Sequence, residues 1–266
     1  MRPPRVNERA LRAFARRFEL AGTEKRGLIA RDARALHYSE GPHQVRLHIA
    51  SGGARYYDTL RWQVDDGESN VELSDRQAIN AADRYVQARR LASSEDYRVL
   101  RVARLNVAAA DRESGEVEQR VIDAAVAFQR VVDGIPVDGP GGKIVVYLDH
   151  KRQATGCERL WRDLGATKRH VDVRPPEDAL STLRRRWAQR REGVVEVTDF
   201  RFGYFELGWN DTQTALEPAY VALLTLALPD EPFRVNKVEV IPASPQATAG
   251  LVPPPKRRRA PSRRSA

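Results

Sequence analysis

The chain has 266 residues, 41% apolar and 30% charged, which suits one large or two small domains with a real core and excludes broad disorder. Its one cysteine, Cys157, excludes an internal disulfide framework and a zinc site built on several thiolates. The net charge of +9 is terminal: residues 1–34 carry +6, residues 251–266 another +6, and residues 35–250 sum to −3. A basic total placed this way says little about the folded body. No apolar run approaches the roughly 18 residues of a membrane span. The start, MRPPRVNERALRAF, places charges where a signal peptide needs its apolar stretch, so no export signal is read and the compartment stays unassigned.

The first predicted element is a helix in NERALRAFARRFELAG, capped by Asn7, with Leu11, Phe14, Ala15 and Phe18 on one face and Gly22 past its end. The period then shortens to two in ARALHYS, QVRLHIA and ARYYDTLRWQV, as in strands with one wet face. A second helix is predicted in SDRQAINAADRYVQARRL, opened by the capping-box pair Ser74 and Gln77. Strand patterns follow in YRVLRVARLNVAA, EQRVIDAAVAFQRVVDGIPV, GKIVVYLD and ATGCERLWRDL. The third helix lies in PPEDALSTLRRRWAQRREG, with Ala179, Leu180, Leu183 and Trp187 inward, Arg184, Arg185, Arg186, Arg190 and Arg191 largely in solvent, and Gly193 as its stop. After it come VVEVTDF, RFGYFELGW, ALEPAYVALLTLAL and FRVNKVEVIPA. Turn signals punctuate the strands at Glu40-Gly41-Pro42, Asp66-Gly67, Ser114-Gly115, Asp138-Gly139-Pro140-Gly141-Gly142 and Asn210-Asp211.

Helix followed by short-linked strands, three times over, predicts an α+β fold with antiparallel sheets rather than parallel crossovers. The expected organisation is an N-terminal helix with antiparallel strands at 1–73, a middle unit at 74–172 and a C-terminal unit at 173–243, packed together. Residues 244–266, rich in Pro and Ala and then basic, are expected to be a disordered tail.

The sequence carries no motif for a catalytic or metal site. The histidines His37, His43, His48, His150 and His170 form no ligand pattern, and His48 is expected beside Arg46 on the polar face of its strand. Gly142-Lys143 suggests a phosphate loop, but Val137 stands where its first glycine belongs and Ile144 where Ser or Thr must hold magnesium. A hairpin turn is the reading. Asp65-Asp66 and Glu177-Asp178 fall in a turn and at a helix start, where acids serve structure. An assembled site using His150, Cys157 and a carboxylate is the one enzymatic arrangement left, and the expectation is a non-enzyme with no cofactor and no metal. Trp62, Trp161 and Trp187 are expected as core anchors, and Trp209 as the tryptophan most exposed.

VAFQRVVDGIPVDGPGGKIVVYLDHKRQATGCERLW, together with the Pro-Glu-Asp-Ala helix start, Gly203-Tyr204 and Leu216-Glu217-Pro218-Ala219-Tyr220, resembles the PepSY and FTP propeptide group and related cystatin-like regulatory domains of bacterial surface proteins. The resemblance covers about residues 74–241. It implies three cystatin-like helix-on-sheet units in a non-catalytic module that binds or restrains a protein, a protease or a larger assembly, usually outside the cytoplasm. Tyr204 and Trp209 are then the candidate partner-binding residues. Lys256, Arg257, Arg258, Arg259, Arg263 and Arg264 form a candidate anion-binding arm that tethers the module to an anionic polymer or nucleic acid. The alternative is a nucleic-acid-associated or scaffold protein using both basic termini as electrostatic arms.

Overall fold

The computed structural model describes residues 1–21, 27–61, 70–110, 112, 114–167, 170–188, 194–227, 233–245 and 247. Trp62, Asp65, the Asp66-Gly67 turn, Arg190, Arg191, Gly193 and the basic tail lie outside the described residues. The fold is α+β, with three helices and twelve mostly antiparallel strands among the described residues. The helices are α1 (Glu8–Ala15), α2 (Asp75–Ala88) and α3 (Pro176–Ala188). The first strands are β1 (Leu28–Arg31), β2 (Ala35–Glu40), β3 (His43–His48) and β4 (Ala54–Asp58). Between α2 and α3 lie β5 (Tyr97–Ala110), β6 (Val117–Val132), β7 (Ile135–Asp138), β8 (Lys143–Leu148) and β9 (Ala154–Leu160). After α3 come β10 (Val194–Phe205), β11 (Glu217–Ala227) and β12 (Arg234–Pro242).

Local chemistry places the helix starts. Asn7 accepts the Ala10 N–H at 2.9 Å, and Ser74 with Gln77 completes both halves of its capping box. The end of α1 departs from expectation. After Ala15 the chain tightens into a 3₁₀ turn, Arg16–Phe18, and stops at Glu19 in the left-handed region, three residues before Gly22.

The chain forms two compact units: Met1–Lys168 with Gly203–Leu216, and Arg169–Phe202 with Glu217–Ala266. In the first, the strand order is β1-β2-β3-β4-β9-β8-β6, and β5 pairs with β6 on its own. One core joins Leu11, Phe14 and Phe18 from the α1 region to Ala78, Ala82 and Val86 of α2 and to Val45, Tyr56, Phe128, Ile144 and Val146 on the sheet. Burying side chains of this size contributes ~1.5–3 kcal/mol each, so this shared core dominates the unit's stability. In the second unit, Ala179, Leu183 and Trp187 of α3 cover Tyr220, Ala222 and Leu224 of β11 and Ile241 of β12, while Phe200 stacks on Tyr220 with ring centres 5.2 Å apart. The core roles expected for Trp161 and Trp187 hold, since both are buried. Arg184, Arg185 and Arg186 are exposed, as their helical spacing predicts.

The glycine segment 138–142 is not a hairpin turn. The two-residue turn is Asp133-Gly134, both with positive φ, which joins β6 to β7 as the right-handed strand twist requires. β7 pairs with β6 only at Val131 and Val132, then peels away, and β8 takes its place from Gln129 onward. The departing β7 pairs in parallel with Tyr204 and Phe205. A Cβ on Gly139 would lie 2.5 Å from the Glu206 carbonyl oxygen, and one on Gly141 2.5 Å from Glu206 Cγ. The glycines are there because another stretch of backbone passes too close for a side chain. Lys143 points its ammonium at the Val137 and Gly141 carbonyls, at 2.7 and 3.1 Å, so it closes the turn.

Candidate functional site

β5 is the longest strand in the molecule with pairing on one side only among the described residues. Its 14 residues run antiparallel to β6, whose opposite edge is taken by β8 over residues 124–129. Farther out, the segment entering α2 covers β6: the Val71 N–H donates to Val121 O at 2.8 Å, and the Val121 N–H donates to Asn70 Oδ1 at 3.0 Å. Two register shifts, at Leu100 and at Ile122, bend the ribbon. Val99, Leu100 and Leu105 are 42%, 44% and 45% exposed along it.

Charges normally defend such an edge. Here two of the three arginines on β5 fold back. Arg98 donates to Gln129 Oε1 at 3.0 Å, and Arg104 donates to Leu73 O and Asp75 at 2.6 and 2.7 Å. Gln129, buried, spends its own amide on Val137 O and Asp138 Oδ1. Among the described residues the strand therefore keeps unpaired backbone groups beside exposed apolar side chains.

At the root of the ribbon sits a buried carboxyl. Asp123 opposes Leu105 across the ladder, accepts a 3.3 Å hydrogen bond from Thr155 through Oδ2, and leaves Oδ1 without a hydrogen-bond partner among the described residues. Desolvation raises its pKa to about 7, only partly offset by Thr155 and the backbone donors.

The aromatic and titrating residues singled out by sequence are positioned as follows. Trp209 is half-buried rather than free: the Arg55 guanidinium lies 4.4 Å from its ring centre, and the His48 ring 4.8 Å away. A Cβ on Gly53 would come within 2.7 Å of this indole, so the glycine makes room for it. His48 is buried, not on a wet face. Its pKa falls to about 4, through desolvation first and then Arg46 and Arg55, and Asn210 approaches the ring without reaching hydrogen-bond geometry. The strand alternation placed it with Arg46, but the indole of Trp209, distant in sequence, covers it. Tyr204 is half-buried on β10, paired with Val137. Among the described residues it makes no hydrogen bond with the exposed residues of β5. The six tail residues Lys256, Arg257, Arg258, Arg259, Arg263 and Arg264 lie outside the described residues.

The nucleophile candidate is not assembled. Cys157 is in the core, its thiol pushed up to about 12 by desolvation, whereas His150 is exposed after β8. A thiol held protonated and covered packs rather than reacts. Among the described residues no three His, Cys, Asp or Glu side chains converge as a metal site.

An open cleft of ≈950 Å³ lies beside α2. Phe18 stacks on Tyr56 in its lining, 4.1 Å apart and parallel, and the Tyr85 hydroxyl is buried without a hydrogen-bond partner among the described residues. Arg89 pairs with Glu19 at 2.7 Å and Arg61 with Asp58 at 3.2 Å, while Arg84, Lys151 and Arg152 line the same cleft and leave it basic.

No protein-family model matches the chain, and no curated protein matches it. Among solved structures it is similar to an uncharacterized protein from Eubacterium rectale, with a TM-score of 0.50 and 11% identity over 89% of this chain and 79% of the other. That likeness concerns the fold alone.

The exposed strand was half legible in sequence. Which strand is an edge depends on pairing, and alternation does not report pairing. The signal available was the run Val99-Leu100, two adjacent apolar residues where strict alternation allows one.

Proposed function

We propose that the chain is a non-catalytic protein-binding module of the regulatory kind, which recognises an extended segment of its partner by strand addition along β5. The observation that carries this is the 14-residue edge with exposed Val99, Leu100 and Leu105. An added strand satisfies the open backbone groups for affinity, and the apolar side chains give selectivity. The resemblance of residues 74–241 to cystatin-like propeptide domains supports the same reading, as does the helix-on-sheet packing. In this reading the tail arginines hold the complex near an anionic polymer.

The test is affinity capture from host lysate and culture fluid with nuclease added, using three baits: full length, a chain lacking residues 251–266, and Val99→Lys/Leu105→Lys. A defined protein kept by the first two and lost by the third is expected, because charges on an edge oppose strand addition. Capture that requires the tail and vanishes with nuclease would replace this reading with the nucleic-acid alternative.

A further inference from the structure

In the first compact unit, the core face of the sheet ends in arginine at two positions where its own period calls for apolar side chains. Along β6, Ala124, Val126 and Phe128 enter the core at every second residue, and the next in step is Arg130. Along β9, buried Cys157 enters the core, the next residue on its alternation is Arg159, and Trp161 follows just past the strand's end. Breaks of a local rule like these concentrate at functional sites. Both side chains line one cleft of ≈780 Å³ at the end of the core, joined by Arg17 from the 3₁₀ turn and Arg90 from the loop after α2.

Carbonyl oxygens aim these groups without neutralising them. Arg159 donates Nε to Leu91 O at 2.7 Å and Nη1 to Trp161 O at 3.3 Å, and its Nη2 has no hydrogen bond among the described residues. Arg17 donates to Arg90 O at 2.8 Å. Arg130 lies 4.7 Å from the centre of the Trp161 ring and donates to Arg162 O at 2.7 Å. Its one carboxylate among the described residues, Glu206 at 3.8 Å, is already held by Arg162 at 3.1 Å. No carboxylate among the described residues lies within ion-pair distance of Arg17, Arg90 or Arg159.

Desolvation lowers the pKa of Arg17, Arg130 and Arg159, the last to about 10 with Arg17 and Arg130 adding repulsion, while Asp163 counters. Clustered guanidinium groups without counter-charges are costly, and an oxyanion offering paired acceptors relieves that cost. With Arg2, five arginines line the cleft against Glu95, Asp96 and Asp163, an excess of two positive charges. A phosphate monoester carries about that charge with opposite sign.

We propose that this cleft binds the phosphate group of a small phosphorylated molecule through Arg17, Arg130 and Arg159. Gln87, Ser93 and Ser94 line the remaining volume and offer hydrogen bonds to a hydroxylated body. This inference does not rest on the protein-binding reading, since β5 takes no part in it.

The experiment is calorimetric titration of the full chain at fixed ionic strength with inorganic phosphate, a hexose phosphate and citrate. Saturable binding of the hexose phosphate is expected. Arg17→Gln, an exposed change, and Arg159→Met, which keeps the buried stem, should each weaken it by about tenfold or more. Arg84→Gln, lining the other cleft, should leave it unchanged. Unfolding curves establish that each variant is folded, and Arg17→Gln carries the test if Arg159→Met is not. No saturable heat for either phosphate at about 10 mM, equal affinity in the Arg17 variant, or a preference for citrate would overturn the proposal.

Discussion

Two buried titratable residues in the first unit push stability in opposite directions with pH. Asp123 has a folded pKa of about 7 against 3.8 in the reference state, so the folded protein binds its proton more tightly. Its contribution is fullest at low pH and is lost as pH rises from about 4 through 7, at about 1.4 kcal/mol per pH unit at most. His48 has the opposite sign. Its folded pKa of about 4 lies below the reference 6.5, so stability is lost as pH falls from 6.5 towards 4. The two slopes oppose each other between about pH 4 and 6.5. Asp123→Asn, which keeps the shape and an acceptor for Thr155, should raise the midpoint of thermal unfolding at pH 8 and leave a profile that falls on acidification. His48→Gln should leave the reverse. Unfolding curves from pH 4.5 to 8 on both variants check this, and identical slopes would contradict it.

Glu206 is the third residue with a sharp expectation. It is fully buried, pairs with Arg162 at 3.1 Å, and accepts the Arg162 backbone N–H at 3.2 Å. Arg162 also donates to Leu207, Gly208 and Asp211 carbonyls at 2.7 Å each. Removing one partner of such a pair strands the other charge, so Glu206→Gln should cost about 3–5 kcal/mol in denaturant unfolding. A cost below about 1 kcal/mol would mean that the carbonyls alone carry Arg162.

At the scale of elements, α2 tests how far local signals matter. Its box is complete, with the Gln77 N–H on Ser74 Oγ at 3.3 Å and the Ser74 N–H on Gln77 Oε1 at 3.0 Å. Ser74→Ala should cost about 1 kcal/mol by the same denaturation measurement, because the helix also gains from burying Ala78, Ala82 and Val86. Helix starts were accurate in sequence since caps are short-range chemistry. The end of α1 was not, since a left-handed Glu19 is no residue preference. The glycine segment 138–142 shows the same limit. Its glycines were plain to see, but their cause, the passing backbone at Phe205 and Glu206, lies more than sixty residues on.

At the scale of the whole molecule, the α+β class, the three helices and nearly every strand followed from periods of 3.6 and 2 and from turn residues. Those features are set by neighbours along the chain, so a sequence carries them. Partnership across the chain decided the rest. Pairing made β5 an edge, covered His48 with Trp209, left Cys157 inside, and gathered Arg17, Arg130 and Arg159 from three distant segments. The arginines did leave a trace, a charge in step with buried residues on β6 and β9, but its meaning required knowing that the two strands end beside one cleft. Alternation says which way a side chain points, and only the tertiary structure says what it meets there.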